Sequence, residues 1–425
     1  MFVLCMSEMM TTGQNVVARC RLLSAGVYSE TQDGLFRPWL SDSFFQAQAI
    51  LSEWMIQAGM QVRYDAAGNL IGRYEACIPG QAAILFGSHI DTVANGGCFD
   101  GLLGVILAIS VVEQLSQAQK RYPFAIEIIA FGDEEGSAFP VSMMTSRAVS
   151  GEVNPEDWAL IGPSGTVAEV MRARGLSCSD LSKAGRNAED IIAFVEAHIE
   201  QGPVLEAQEF SLAAVRSIAA QRRGTVTIIG HAGHAGTLPM VMRRDALAAA
   251  AEAVLSVERV AVEFPYGAEG GLVATVGRLE VFPGGSNVVA DRVEFSLDVR
   301  AGARSLRDAA VQQIENAFRD LAQRRGVTLS CAWQQDLEGA ECDPTLVRMM
   351  QKAAESEGGS DVALVSGAGH DTMVMARRWP SVMLFIRSPG GISHHPDETV
   401  LEDDVDAAHR TLLGFLERLN LNQKN

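Results

Sequence analysis

The sequence predicts an α/β protein in two parts: a discontinuous main domain over about 1–214 and 331–425, and a smaller α+β module over 215–330. Three observations carry this. Four apolar runs of strand length end abruptly in polar clusters, and long apolar or amphipathic helical stretches separate them. Between about Ser217 and Ser330 the pattern changes to alternating strands with two helices among them, without the rhythm of a parallel sheet. A chain of 425 residues accommodates two or three domains at about 100–200 residues each.

The elements follow in order. Ala82–Phe86 runs into Gly87-Ser-His-Ile-Asp91, and Ala125–Phe131 into Gly132-Asp-Glu-Glu-Gly136. Phe194–Ala197 runs into His198-Ile-Glu-Gln-Gly202, and Val382–Ile386 leads to Gly390-Gly-Ile-Ser-His-His-Pro396. A buried strand ending in a polar turn is how open α/β sheets present ligands at the carboxyl ends of their strands. Gly101–Leu115 reads as an apolar helix. Asp403–Leu419 reads as an amphipathic one, with Val405, Ala408, Leu412, Leu413 and Leu416 on one face. The module carries expected strands at Gly224–Gly230, Leu272–Leu279 and Arg292–Arg300, and helices at Arg243–Val257 and Ser305–Arg325. Polar clusters lie on both sides of the module, which marks it as an insertion.

Composition narrows the classes of function. With 48% apolar and 20% charged residues the chain is globular rather than disordered. Its formal net charge of −18 repels phosphate backbones and anionic lipid heads, so neither a nucleic acid nor a membrane is an expected partner. A small anionic substrate stays open, because a site makes its own local field. The 7 Cys form no Cys-x-x-Cys pair, which indicates neither a zinc ribbon nor a disulfide framework. Reduced thiols in the cytoplasm are expected. The apolar start, Met1 to Met6, is short and has no positive charge before Arg19, unlike a signal peptide. The longest apolar run, Gly101 to Val112, contains Ser110 and is too short to span a bilayer. There is no Gly-x-Gly-x-x-Gly, no phosphate-binding Gly-Lys-Ser/Thr loop and no His-Glu-x-x-His.

Seven of the 8 His (His89, His198, His231, His234, His370, His394 and His395) fall in turn-like clusters with Gly, Ser, Asp or Pro, and only His409 lies in a plain helix. Each has a bland reading as a satisfied structural residue, but together they point elsewhere. His89 and Asp91, two apart at a strand end, point to the same side. A carboxylate beside a ligating His fixes its tautomer and raises its basicity. Asp100 opens a helix, where capping is the ordinary role. Asp133-Glu134-Glu135 is either a solvated acidic turn or a group held beside a cation. Oxygen and nitrogen ligands without thiolate suit Zn, Mn, Co or Ni. Five such ligands sharing one carboxylate make a two-metal site, with the ions about 3.5–4 Å apart and a leftover acid as general base.

These segments resemble the amidase branch of the dinuclear-metal aminoacylase/carboxypeptidase superfamily. That branch includes N-carbamoyl-L-amino acid hydrolases, β-ureidopropionase-like enzymes, and allantoate and ureidoglycolate amidohydrolases. The match runs from about Tyr28 to Glu398. It takes in Gly68-Asn-Leu-Ile-Gly72, the clusters above, His234-Ala-Gly236 with Pro239-Met240 and Arg243-Arg-Asp245, and Ser366-Gly-Ala-Gly-His-Asp371. In peptidase relatives a carboxylate typically stands where this chain has His198, which weighs against a peptidase or N-acyl deacylase.

The resemblance implies a di-metal hydrolase domain with a central mixed sheet flanked by helices, and an inserted α+β lid and dimerisation domain. It implies two divalent ions per chain. Asp100 bridges both, His89 and His198 complete one site, and Glu135 and His394 complete the other. Glu134 is the general base, and Asp91 stands behind His89. His394 is preferred to His395 because the family's ligand directly follows the Ser. In the module, His234 matches the residue that stabilises the oxyanion. Gln221, Asn287, Arg300 and Gly369 match substrate contacts. Read alone, Arg300 is a surface ion-pair partner; the resemblance makes it a forked clamp on a substrate carboxylate. A homodimer through the module is implied. His231, His370 and His395 receive no role.

Two departures stand out: Ala138 where the family often has Arg, and Gly233 where it often has Asn. The activity implied is hydrolysis of the ureido or amide C–N bond of N-carbamoyl-L-amino acids or related ureido acids, releasing ammonia and CO₂. Allantoate or ureidoglycolate hydrolysis is the near alternative. A non-catalytic binding protein that keeps the fold is the alternative of a different class; the presence of Glu134 and all five ligand candidates weighs against it.

Overall fold

The computed structural model describes residues 10–264 and 271–422. Cys5 and the Met1–Met6 stretch lie outside them. Two compact units emerge: Arg216 and everything described before it, with Glu341–Leu364 and the chain from His370 onward, and a smaller unit of Ser217–Ala340 with Val365–Gly369.

The larger unit is organised by a mixed sheet. Seven of its nine described strands run in the spatial order Gln61–Tyr64, Leu70–Tyr74, Ala125–Phe131, Ala83–His89, Ile191–Ile199, Ser381–Ile386 and Leu212–Ile218. The four central strands are mutually parallel and contain the four apolar runs of the sequence. The outer pairings are antiparallel. Both faces of the sheet are buried, which is why these strands read as continuous apolar runs rather than alternating ones. Ile84, Phe86, Ile128 and Val195 face one core; Leu85, Ile129, Phe131 and Phe194 face a second on the other side.

The helix Leu102–Gln117 packs into the first core with twelve buried residues, as its apolar composition predicts. Its N-cap is Gly101, at φ 67°, with no side-chain cap. A Cβ at Gly101 would meet the His89 ring at 2.5 Å, so only glycine lets the helix start this close to the strand end. Asp100 therefore does not serve as the cap. Among the described residues no helix is long and apolar enough to cross a membrane.

The smaller unit is an antiparallel sheet with Ala246–Glu263 and Arg304–Arg325 over one face. Its central strand Arg292–Ala301 alternates buried and half-buried residues, the period-2 signature of a one-sided sheet. The expected strand Leu272–Leu279 is instead two strands, Leu272–Thr275 and Leu279–Phe282, both paired with Arg292–Ala301. Thr275 to Leu279 spans four steps opposite three from Asp298 to Phe295, so one extra residue bulges out between them. The first helix starts at Ala246, capped by Asp245, rather than at Arg243. The unit also extends past residue 330. Thr328–Leu337 pairs along Ala220–Ile229 and completes the sheet, so a boundary at 331 would cut through a strand. Its alternation of exposed and half-buried residues is too weak to stand out in sequence.

One buried charge inside the larger unit tests this packing. Glu127, on a central strand, lies directly across from Arg73 and also bonds Arg186 (2.7 Å) and Arg63 (3.3 Å). Burial pushes its carboxyl up, but the arginines outweigh that and hold it below the usual range. A depressed folded value gives stability above the unfolded value, lost as pH falls through the folded one. Glu127→Gln is therefore expected to cost about 2 kcal/mol at neutral pH. That is below the ~3–5 kcal/mol of a fully buried pair because Arg63 reaches solvent. By calorimetry, the melting-temperature gap to the wild type should close as pH drops below the carboxylate range.

Candidate metal centre

Because the central strands are parallel, their carboxyl ends lie along one edge, and the polar clusters gather there. His89 ends its strand and His198 lies at the end of the neighbouring one, with ring centroids 5.6 Å apart. His89 Nδ1 lies 3.0 Å from the Asp91 carbonyl and His198 Nδ1 lies 2.9 Å from the Ile199 carbonyl. These acceptors assign the proton of each neutral ring to Nδ1, leaving both Nε2 lone pairs directed inward, 3.4 Å apart.

Asp100 is the common element. Its Oδ1 stands 3.1 Å from His198 Nε2 and 3.7 Å from His89 Nε2, and its Oδ2 stands 3.2 Å from His394 Nε2. His394 Nε2 is also 3.4 Å from Glu135 Oε1. Glu134 Oε2 is 4.0 Å from His89 Nε2. The donors thus form two groups, His89–Asp100–His198 and Asp100–Glu135–His394, with Asp100 in both. Two further groups border them: His89–Glu134–Glu135, and Glu196–His198–His370, which shares His198. His395 points away, with Nδ1 3.5 Å from the exposed Asp397 carboxylate.

Asp91 orients His89, but not by the expected route. The backbone carbonyl, rather than the carboxylate, meets Nδ1; the carboxylate lies 3.8 Å off. The Asp91 carboxylate accepts instead from the amides of Glu134 and Glu135, at 3.2 Å each, and so shapes the acidic turn. Asp133, at φ 64°, makes the bend that presents the two glutamates.

The electrostatics match the geometry. Burial, then the neighbouring Glu135 and other carboxylates, push Glu134 well above its ordinary value. Burial and Asp100 push Glu135 up to about 8. Asp100 goes the other way: burial opposes its charge, but the close His198 and His394 rings outweigh that and hold it well below the usual range. Burial lowers His198, yet Asp100 overrides it and raises the ring to about 9. Crowded buried carboxylates of this kind call for positive charge. The donor set of three imidazoles and two carboxylates without thiolate fits a divalent cation pair. Asp100 Oδ1 is buried with no aligned hydrogen bond, despite its closeness to His198, as expected of a ligand oxygen.

Several neighbours escape sequence reasoning. Gln201, inside the His198 cluster, donates from Nε2 to Asp100 Oδ2 at 3.1 Å. Glu196, buried two residues before His198, accepts from Ser88 (3.0 Å) and from the amide and hydroxyl of Thr372 (2.9 and 2.6 Å). It ties the residue before His89 to the helix after His370. His370 stands edge-on to His198, centroids 4.4 Å apart. Only their positions beside the motifs could have flagged them.

The remaining predicted residues lie in or beside the smaller unit's sheet. Gln221 and Arg300 are cross-strand partners. Arg300 is bound side-on by Asp298, at 3.1 Å from Nε and 2.9 Å from Nη2, and its Nη1 donates to the Gly367 carbonyl at 2.6 Å. The ion-pair reading therefore describes its side edge, while the far end of the guanidinium is shared with the Gly367 carbonyl. Arg300 lines a cavity of about 540 Å³ with Arg223, Asp298, Val273 and Gly367. His234 pairs with Val288 across two short strands, and the neighbouring Ala235 amide donates to the Asn287 carbonyl. His234 Nδ1 accepts from the Gly236 amide at 3.1 Å, which puts the proton of the neutral ring on Nε2. Arg243 braces this loop by donating to the carbonyls of Ala235 and Leu238. His231 is exposed. Gly369 ends the Val365–Gly369 segment.

A parallel-centred sheet whose strand ends gather donor groups around one shared carboxylate defines the class: an α/β protein with groups able to hold a pair of cations at the carboxyl ends of its strands. The chain belongs to the peptidase family M20/M25/M40, whose model matches residues 85–418. It is 38% identical to an N-carbamoyl-L-amino acid amidohydrolase of Geobacillus stearothermophilus, over 90% of this chain and 93% of that protein. It is 36% identical to a probable allantoate deiminase of Oryza sativa subsp. japonica, over 94% of this chain and 87% of that protein. Its fold matches the crystal structure of a hydantoinase/carbamoylase family amidase from Burkholderia multivorans, with a TM-score of 0.88 and 28% identity, covering 96% and 97% of the two chains.

Asp100→Ala, which removes the shared donor, is expected to abolish binding of manganese by the folded protein. His395→Ala should bind as the wild type does. Elemental analysis after dialysis against the metal reads both.

Proposed function

We propose that this chain is a metal-dependent hydrolase that cleaves the ureido C–N bond of N-carbamoyl-L-amino acids. Water is added and the amino acid, CO₂ and ammonia leave. The observation that carries this is the shared placement of Asp100 between two donor groups, with Glu134 beside them. The likeness to relatives named for N-carbamoyl amino acids and for allantoate supports the ureido chemistry and keeps allantoate as the second reading.

His89, Asp100 and His198 would hold one divalent ion, and Asp100, Glu135 and His394 the other. The ions would be Mn, Zn, Co or Ni, and what they supply when bound is acidification of a shared water and polarisation of the scissile carbonyl. Glu134, buried beside His89 and bordering the donor groups, suits a base that takes a proton at its carboxylate and returns it to the leaving nitrogen. His234 offers an Nε2 proton to a developing oxyanion. Arg300, which lines a cavity of the smaller unit, is the contact for the substrate carboxylate, and Gln221, Asn287 and Gly369 are further contacts. The smaller unit serves as lid and dimerisation domain. Its strand Thr328–Leu337 pairs on one side only among the described residues, which leaves an edge suited to a second copy. Free Cys20, Cys77, Cys98, Cys178, Cys331 and Cys342 suit the reducing cytoplasm.

Purified protein loaded with manganese should release ammonia from N-carbamoyl-L-amino acids. A preference for allantoate would select the second reading, and turnover of dipeptides alone would discard both. Glu134→Gln should keep its metal and lose about 100-fold or more in rate, the usual contribution of a positioned base; near-normal turnover removes Glu134 from that role. Light scattering at micromolar concentration should give the mass of a dimer, and a monomer counts against the edge-pairing assignment.

A further inference from the structure

The two donor groups are not built alike. His89 and His198 project from the ends of adjacent strands, and their rings are oriented by the Asp91 and Ile199 carbonyls. His394 sits in an irregular segment, at φ 55°, with its side chain half-exposed. Beyond the His394 ring's own neighbours Asp100, Glu135 and Gln201 (Nε2 at 3.5 Å), the segment's described side-chain ties near the ligand run through Ser393. Its hydroxyl donates to Glu398 Oε2 at 3.1 Å, and it accepts from Gln201 Nε2 at 3.1 Å.

Glu398 is 4% exposed, and its other oxygen is equally committed. Oε1 accepts from the amides of Phe99 (2.9 Å) and Asp100 (3.0 Å), nearly three hundred residues away in sequence. One carboxylate thus lashes the turn that carries Asp100 to the segment that carries His394. The packing around it is close: a Cβ at Gly97 would lie 2.2 Å from the Glu398 carboxylate. Asp100 has other supports. Its carbonyl accepts from the Leu102 amide at 2.7 Å, and Gln201 reaches its side chain. His394 shares Gln201, at 3.5 Å, but has no such backbone bond among its described contacts.

We propose that Glu398 is a positioning residue that governs one ion site only, the one formed by Asp100, Glu135 and His394, so that its loss yields a protein that holds one ion tightly and the other poorly. This rests on the two-ion reading above. Residues that orient metal ligands typically change affinity by about 10–100-fold when removed. The asymmetry follows from where Glu398 acts: it touches no part of His89 or His198 among its described contacts.

The test is calorimetric titration of the metal-stripped full chain with manganese, with stoichiometry checked by elemental analysis. The wild type should bind two equivalents. Glu398→Ala should keep one at near wild-type affinity and bind the second about 10–100-fold more weakly. Hydrolysis should then half-saturate at a correspondingly higher manganese concentration. Glu398→Gln, which keeps an acceptor for the two amides, should restore most of the second affinity. Gly97→Ala, which must push the carboxylate aside, should reproduce the selective loss, and it decides the matter should Glu398→Ala fail to fold. Equal weakening of both equivalents, or of neither, in a folded variant overturns the proposal. A wild type that binds fewer than two equivalents overturns the two-ion reading beneath it.

Discussion

The burial of Asp100 among three imidazoles and two glutamates is the constraint on which the rest of the site depends. Placing one carboxylate out of water costs several kcal/mol, and placing several together adds repulsion. The chain meets this with positive partners and backbone donors rather than with solvent. His198 and His394 hold Asp100 ionised. Amides of the acidic turn satisfy Asp91, and the fully buried Arg37 adds a cation nearby, its own value lowered by burial to about 10 despite the pull of Asp91. Arg37 in turn is held by the carbonyls of Ile90 and Leu23. What remains after these partners is still an acidic pocket, and that surplus is why the cluster could hold a cation.

The sheet supplies the geometry. Parallel strands put all their carboxyl ends on one edge, and both faces are sealed by helices, so the edge is where polar side chains can cluster. Close approach then does the fine placement. The helix Leu102–Gln117 begins against the His89 ring, with a glycine at the contact. Asp133 bends the chain so that Glu134 and Glu135, adjacent in sequence, take up different neighbours: Glu134 faces His89, and Glu135 faces His394. In the smaller unit Asp298 plays a comparable part for Arg300, gripping one edge of the guanidinium while the Gly367 carbonyl takes Nη1.

Much of this was legible in the chain. The four runs ending at His89, Asp133, His198 and near His394 are the four central strands, and they read clearly because a strand buried on both faces is written in consecutive apolar residues. The Arg292–Ala301 strand read clearly for the opposite reason, strict alternation. Where the pattern was weak the reading slipped. Thr328–Leu337 alternates only between exposed and half-buried positions, and the bulge after Thr275 leaves no compositional mark.

Local periodicity and ligand chemistry are carried by a few neighbouring residues, so the sequence by itself determined the strand cores, the donor types and their grouping into clusters. Which atom does what was decided only by the tertiary structure. Asp91 turned out to meet His89 through its carbonyl, Asp100 to point inward instead of capping a helix, and Glu398 to reach back to Asp100. The physical reason is that a hydrogen bond depends on distances of about 3 Å, and separation along the chain says nothing about those.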